Sequence, residues 1–130
     1  MSTSARYNNG IGQVNASADN TDRVRDNQFL QPDYAATIAL VPTKSYTLVQ
    51  TPALTGAVTF TVGVGTSASA PYVGDKLEFL LQSDGTTRIV TFVTGFTSTG
   101  ILTVTTGKYA TALFMFNGIN WQEVGRTVTV

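Results

Sequence analysis

Apolar positions along this chain change their spacing near residue 34. Ahead of it, Ile11, Val14, Val24, Phe29 and Leu30 are scattered among Asn, Ser, Asp, Gln and Gly, with neither a helical nor a strand period. A segment so poor in apolar surface cannot offset the entropy of ordering its own backbone. Residues 1–33 therefore read either as a disordered tail or as an extended polar N-terminal arm that gains order against a partner. Phe29 and Leu30, just before Pro32, are its expected anchors, with Arg23 and Arg25 as further contact residues.

From Tyr34 onward the pattern becomes a succession of short strand-like runs. They lie near residues 35–41, 46–50, 57–64, 76–83, 88–93, 101–105, 111–116 and 121–124, with a short tail at 127–130. Thr, a β-branched residue that favours strands, is dense throughout. Turn residues separate nearly all the runs. Pro42 and Pro52 fall between the early ones, Asp84-Gly85 between 81 and 88, and Asn117-Gly118 between Phe116 and Trp121. Both dipeptides allow the positive φ angles of tight hairpins. About eight short strands at this spacing predict one all-β domain over residues 34–130, a β-sandwich or jelly roll of antiparallel strands behind the arm.

The faces of two runs are legible. Leu77, Phe79 and Leu81 share one side of a strand, and Lys76, Glu78 and Gln82 the other, which marks a half-buried strand. In the run 111–116, Ala112, Phe114 and Phe116 face one way and Leu113 and Met115 the other. Both sides are apolar. Either a central strand is covered by a second sheet and a loop, or Leu113 and Met115 form a subunit interface. Two Gly/Ser/Thr-rich stretches, 65–74 and 95–100, read as loops, with Tyr72 and Phe96 as candidate contact residues: Tyr72 is an anchor or a contact of the first, and Phe96 of the second is either tucked inward or displayed.

Composition narrows the function. Only 12% of residues are charged and the formal net charge is zero. Arg23 and Arg25 are flanked by Asp22 and Asp26, so their charges cancel locally. Nucleic-acid affinity rests on clustered Lys and Arg, so nucleic acid is not an expected partner. No apolar run approaches the roughly 20 residues that span a bilayer, and the N-terminus lacks the apolar stretch of a secretory signal. Synthesis in the cytoplasm, with no membrane partner, is the expectation.

The chain has no Cys and no His. Disulfides and thiolate metal sites are excluded, and the commonest general base is missing. Lys76 and Glu78 share a strand face and read as an exposed ion pair rather than a catalytic pair. Asp19, Asn20, Asp22 and Asp26 cluster without the Gly and Glu spacing of a calcium loop. Asp84 is accounted for by its turn, while Glu123 shares the face of Trp121. The glycines of Gly10-Ile11-Gly12 and Gly63-Val64-Gly65 open no helix and cradle no phosphate. No catalytic residue, cofactor or metal is expected.

An ordered series in the C-terminal half carries a resemblance: Gly74-Asp75-Lys76-Leu77-Glu78-Phe79, then Ser83-Asp84-Gly85-Thr86-Thr87-Arg88-Ile89-Val90-Thr91-Phe92, then Gly95-Phe96, then Phe116-Asn117-Gly118-Ile119-Asn120-Trp121-Gln122-Glu123-Val124-Gly125-Arg126. The series resembles small phage virion proteins, which decorate or cement capsids or form head and tail fibres. It covers roughly residues 34–126 and is a pattern of strands and turns, not a catalytic signature. It implies a β-sandwich with a polar N-terminal segment, a homotrimer, and no active site. The function it implies is a capsid decoration protein bound to the major capsid protein or another virion protein, on the outside of the particle. The alternative is a fibre or spike protein that binds a host glycan. Coiled-coil heptads and collagen-like repeats, which would build a fibre shaft, are missing.

Overall fold

In a computed structural model, residues 27–63 and 70–128 are described. They form ten strands and no helix. The strands are β1 (Asn27–Leu30), β2 (Thr37–Leu40), β3 (Tyr46–Gln50), β4 (Val58–Val62), β5 (Lys76–Gln82), β6 (Arg88–Phe92), β7 (Phe96–Thr97), β8 (Leu102–Val104), β9 (Tyr109–Phe116) and β10 (Trp121–Thr127). They make a six-stranded sheet in the order β1-β3-β5-β9-β10-β7 and a four-stranded sheet in the order β2-β4-β6-β8. Two facing sheets in an all-β chain agree with the sequence-based expectation.

The connectivity does not. From β1 to β9 the chain changes sheet at every strand, so only β9 and β10 are both consecutive in sequence and neighbours in a sheet. The pairs β1–β3, β3–β5, β2–β4, β4–β6 and β10–β7 are parallel. Only β5–β9, β9–β10 and β6–β8 are antiparallel. Parallel neighbours need a crossover of about a dozen residues or more, and here the strand of the opposite sheet supplies it. This winding replaces the antiparallel sandwich or jelly roll expected from the strand spacing.

The turn at Asp84-Gly85 shows why. It does not fold β5 back onto β6; it carries the chain from one sheet to the other. Gly85 is not among the glycines with positive φ. The Asp84 carboxylate organises the bend instead. Its Oδ1 accepts from the Thr86 amide (3.1 Å) and from Arg88 Nε (3.0 Å), and Oδ2 accepts from Arg88 Nη2 (2.9 Å). Asn117-Gly118 does form the hairpin its sequence predicts. Gly118 has φ 100°, the Asn117 amide donates to the Asn120 carbonyl at 3.0 Å, and β9 and β10 pair directly.

The compositional boundary near residue 34 does not coincide with the start of the sheet. Residues 27–30 already form β1, in parallel register with β3 from Asn27↔Tyr46 to Leu30↔Val49. A four-residue edge strand shows almost no periodicity by itself. Its order comes from the neighbour: the Gln28 side-chain carbonyl accepts from the Thr43 amide (2.8 Å) and the Thr47 hydroxyl (3.1 Å).

The two inner faces meet in a cluster of phenylalanines. Phe60 and Phe92 project from the four-stranded sheet, Phe79 and Phe114 from the six-stranded sheet. Ring centroids lie 4.8 Å apart for Phe60–Phe79 and for Phe92–Phe114. Phe96 closes the cluster at 4.8 Å from Phe114 and 5.2 Å from Phe92. Tilted and edge-on rings at such distances are the favourable aromatic geometry. Leu77, Leu81, Val49, Val58, Val90, Leu102 and Val104 complete a core whose members alternate with outward residues, as along β5 and β9.

Gly95 delivers Phe96 to this core. It has φ 89°, and a Cβ there would collide with the Val62 carbonyl oxygen. Only glycine fits so close a backbone approach in that conformation.

Replacing Phe79 with Ala should cost about 3–5 kcal/mol, because its ring touches four others and the cavity lies between two sheets. Equilibrium denaturation followed through Trp121, the single tryptophan and a fully buried one, measures the loss. A variant within about 1 kcal/mol of the parent would mean that the sheets do not depend on this ring.

Candidate interaction surfaces

The outer face of the six-stranded sheet is set by strand register. Phe29 of β1 lies beside Leu48 of β3, Leu48 beside Glu78 of β5, and Glu78 beside Leu113 of β9. Leu80 stands two residues from Glu78, and Met115 lies opposite Lys76. Phe29 is exposed, while Leu48, Leu80, Leu113 and Met115 are half-buried by their neighbours. Solvated faces of such sheets ordinarily carry polar residues, so a run of large apolar side chains here is notable. Leu113 and Met115 thus lie where their alternation places them. The four-stranded sheet covers the opposite side of β9.

Lys76 and Glu78 do share this face, but no direct ion pair joins them. Glu78 Oε1 instead accepts from the Tyr46 hydroxyl at 2.7 Å. Burial, then the hydrogen bond to the carboxylate and its negative charge, push the Tyr46 pKa up to about 12.

A second surface lies at one end of the sandwich. Ile119 (84% exposed) and Val73 (74%) are the most exposed large apolar side chains among the described residues, and Tyr72 (57%) stands beside them. The two turns that carry them are adjacent: a Cβ at Gly118 would touch Val73 at 3.4 Å. Both turns are braced. The Gly74 amide donates to the Phe116 carbonyl, the Phe116 amide to the Asp75 carbonyl, and the Tyr72 amide to Asp75 Oδ2, all at 2.9 Å. The Asn117 side-chain oxygen accepts from the amides of Ile119 and Asn120 at 2.9 Å. Tyr72 is therefore displayed, as a contact residue must be.

Phe96 is not displayed. Its ring packs into the phenylalanine cluster, so of the two loop contacts expected from sequence only Tyr72 faces solvent. Leu30 packs partly against the core and Phe29 points outward, both as parts of the sheet rather than of an arm. Arg23, Arg25 and the Asp19–Asp26 cluster lie outside the described residues.

Sequence reasoning missed the most concentrated charge site. Glu123 and Arg126, three residues apart, would face opposite sides of a regular strand. A bulge changes this parity. Leu113 pairs with Gly125 but Phe114 with Glu123, so Val124 is an extra residue. Glu123, opposite Phe114, and Arg126, opposite Ala112, then share the inner side. The Glu123 side chain is 1% exposed. Its Oε1 accepts from Arg126 Nη2 (2.8 Å), the Thr99 amide (3.0 Å) and the Ser98 hydroxyl (3.0 Å). Arg126 also donates to the carbonyls of Ile101 (2.7 Å) and Gly100 (2.9 Å). The pair clamps the loop 98–101 to β10. Gly125, lying between Glu123 and Arg126, was the sequence signal of the irregularity.

Burial works to raise the Glu123 pKa, yet the bonds from Arg126, Thr99 and Ser98 outweigh it and hold the carboxyl below its ordinary value. The clamp has donors in excess and no nucleophile, so its role is positional. Among the described residues, no group of three or more Asp or Glu is placed to hold a metal ion.

An open recess of about 390 Å³ is lined by Gln31, Asp33, Gln50, Thr51 and Pro52. Thr51 is buried, and its hydroxyl has no hydrogen-bond partner among the described residues.

A scan of the chain against protein-family models finds no match, and neither does a search of curated protein sequences.

Two outcomes follow from the charge sites. Glu123→Ala should destabilise the protein by about 3 kcal/mol, since it strands a partly buried guanidinium. The folded-state Glu123 pKa is depressed, so its contribution is present above the unfolded value and lost as pH falls through the folded one. Acid titration of stability should therefore be shallower in Glu123→Ala than in the parent. For Tyr46 the sign is reversed: with its folded pKa raised from 10.0 to about 12, its contribution is complete below pH 10.0 and lost as pH climbs toward 12. Stability of Tyr46→Phe should fall less steeply than the parent's over that alkaline range.

Proposed function

We propose that this chain is a non-enzymatic structural protein of a virus particle. In this reading it is a capsid decoration protein that binds the outer surface of a phage head and stabilises the shell. It is made in the host cytoplasm and acts on the assembled particle, with the major capsid protein as partner. Binding only to the assembled lattice stabilises that lattice by mass action.

The observation that carries the reading is the braced apolar tip, Tyr72, Val73 and Ile119. Isolated apolar residues are normal on a surface, but three neighbours this exposed on fixed turns form a contact patch. Side chains held in place before binding lose little entropy on docking. The resemblance to phage virion proteins gives the patch its partner. Residues 1–26, which lead into the edge strand β1 and include Arg23 and Arg25, supply a second contact along the shell.

A glycan-binding fibre or spike protein is the second reading. The recess at Gln31, Asp33, Gln50 and Thr51 favours it, because its lining offers donors and acceptors suited to a hydroxyl-rich ligand.

Mixing the protein with undecorated phage heads tests the first reading. Ile119→Asp and Val73→Asp together should weaken particle binding at least about tenfold while leaving the fold intact, since both side chains are exposed. Retention of full binding by this variant would eliminate the tip as the contact. Specific glycan-array signals abolished by Asp33→Ala would shift the assignment to the second reading.

A further inference from the structure

The outer face of the six-stranded sheet has a property that the tip and the recess lack: its charges match a second copy of itself. Across β1, β3, β5 and β9 its outward positions hold Asn27 and Phe29, then Tyr46, Leu48 and Gln50, then Lys76, Glu78, Leu80 and Gln82, then Tyr109, Thr111, Leu113 and Met115. Among them stand one cation and one anion, two residues apart on the same strand. Glu78 sits in the middle of the apolar row, between Leu48 and Leu113 and next to Leu80. Its one described hydrogen bond comes from the Tyr46 hydroxyl. Lys76 is exposed and makes no ion pair among the described residues.

Any protein that covers this face must bury the Glu78 carboxylate, and burying a carboxylate that has a single donor is costly unless the covering surface brings a cation. An arbitrary apolar partner does not provide one. A second copy does. Under two-fold symmetry, if residue i of one subunit meets residue j of the other, the reverse contact forms as well. Placing Lys76 of one copy over Glu78 of the other therefore satisfies both carboxylates together and stacks the leucine rows. We propose that this face is a contact between two copies of the chain, with Leu48, Leu80, Leu113 and Met115 as its apolar centre and the Lys76–Glu78 pairs as its register. The proposal is independent of the shell-binding reading, which uses the opposite feature of the molecule, its end.

The test uses the full-length protein alone and reads its mass in solution by sedimentation or light scattering. The parent should self-associate at micromolar concentration. Leu113→Lys, which puts a second cation into the apolar row, should raise the dissociation constant at least about a hundredfold. Lys76→Glu and Glu78→Lys should each weaken self-association by about tenfold or more, since each makes the facing charges alike. Mixed together, these two variants should associate again, because one then presents only acidic and the other only basic groups. A contact within one chain predicts no such rescue. Burial of Trp121, read by its fluorescence, confirms that each variant is folded. A parent that stays monomeric at about 1 mM, an oligomer indifferent to Leu113→Lys, or a mixture that associates no better than its components would overturn the proposal.

Discussion

The structure depends on rings from two different sheets interlocking in one layer. Phe60 and Phe92 on one side and Phe79, Phe96 and Phe114 on the other leave neither sheet a core of its own. Because the chain crosses this layer at every step from β1 to β9, each sheet, the β9–β10 hairpin apart, is assembled from strands whose sequence neighbours belong to its opposite. With no cysteine available, packing and ladder hydrogen bonds carry the whole cohesion of the fold. Special backbone features near the layer follow from it. Gly95 is a glycine because Phe96 must enter the core beside the Val62 carbonyl.

Charge is used sparingly and at the margins. The two ion pairs among the described residues both hold bends: Asp84–Arg88 where the chain passes between sheets, and Glu123–Arg126 where loop 98–101 meets β10. Each carboxylate takes several donors, which offsets the cost of withdrawing it from water. The surface charge left on the large sheet is confined to a single strand. That economy leaves Lys76 and Glu78 as the charges that a covering surface would have to match.

Strand positions were largely legible in the sequence, while their partners were not. Alternation marked the inner residues of β5 and β9 correctly, because period two is a local property of extended backbone. Pairing direction is not local. Asp84-Gly85 has the residue types of a hairpin, yet its carboxylate was engaged by Arg88, four residues away and in the next strand. β1 was missed because an edge strand of four residues owes its order to Thr43 and Thr47 of the following segment. The Glu123–Arg126 clamp was hidden for a related reason: one inserted residue reversed the parity on which face assignment rests. Tyr72 and Leu113 were legible as surface candidates because exposure followed from a loop and from simple alternation.

The placement of β9 has a bearing on how the molecule is made. It lies between β5 and β10, so the middle of the large sheet stays open until residues 109–116 have left the ribosome. Parallel partners drawn from distant segments already make for slow assembly. A nascent chain that ends before β9 would present Leu77, Phe79 and Leu81 beside an unpaired backbone edge, the combination most prone to pair with another unfinished chain. Protection of this edge thus waits on a strand that begins 27 residues after β5 ends.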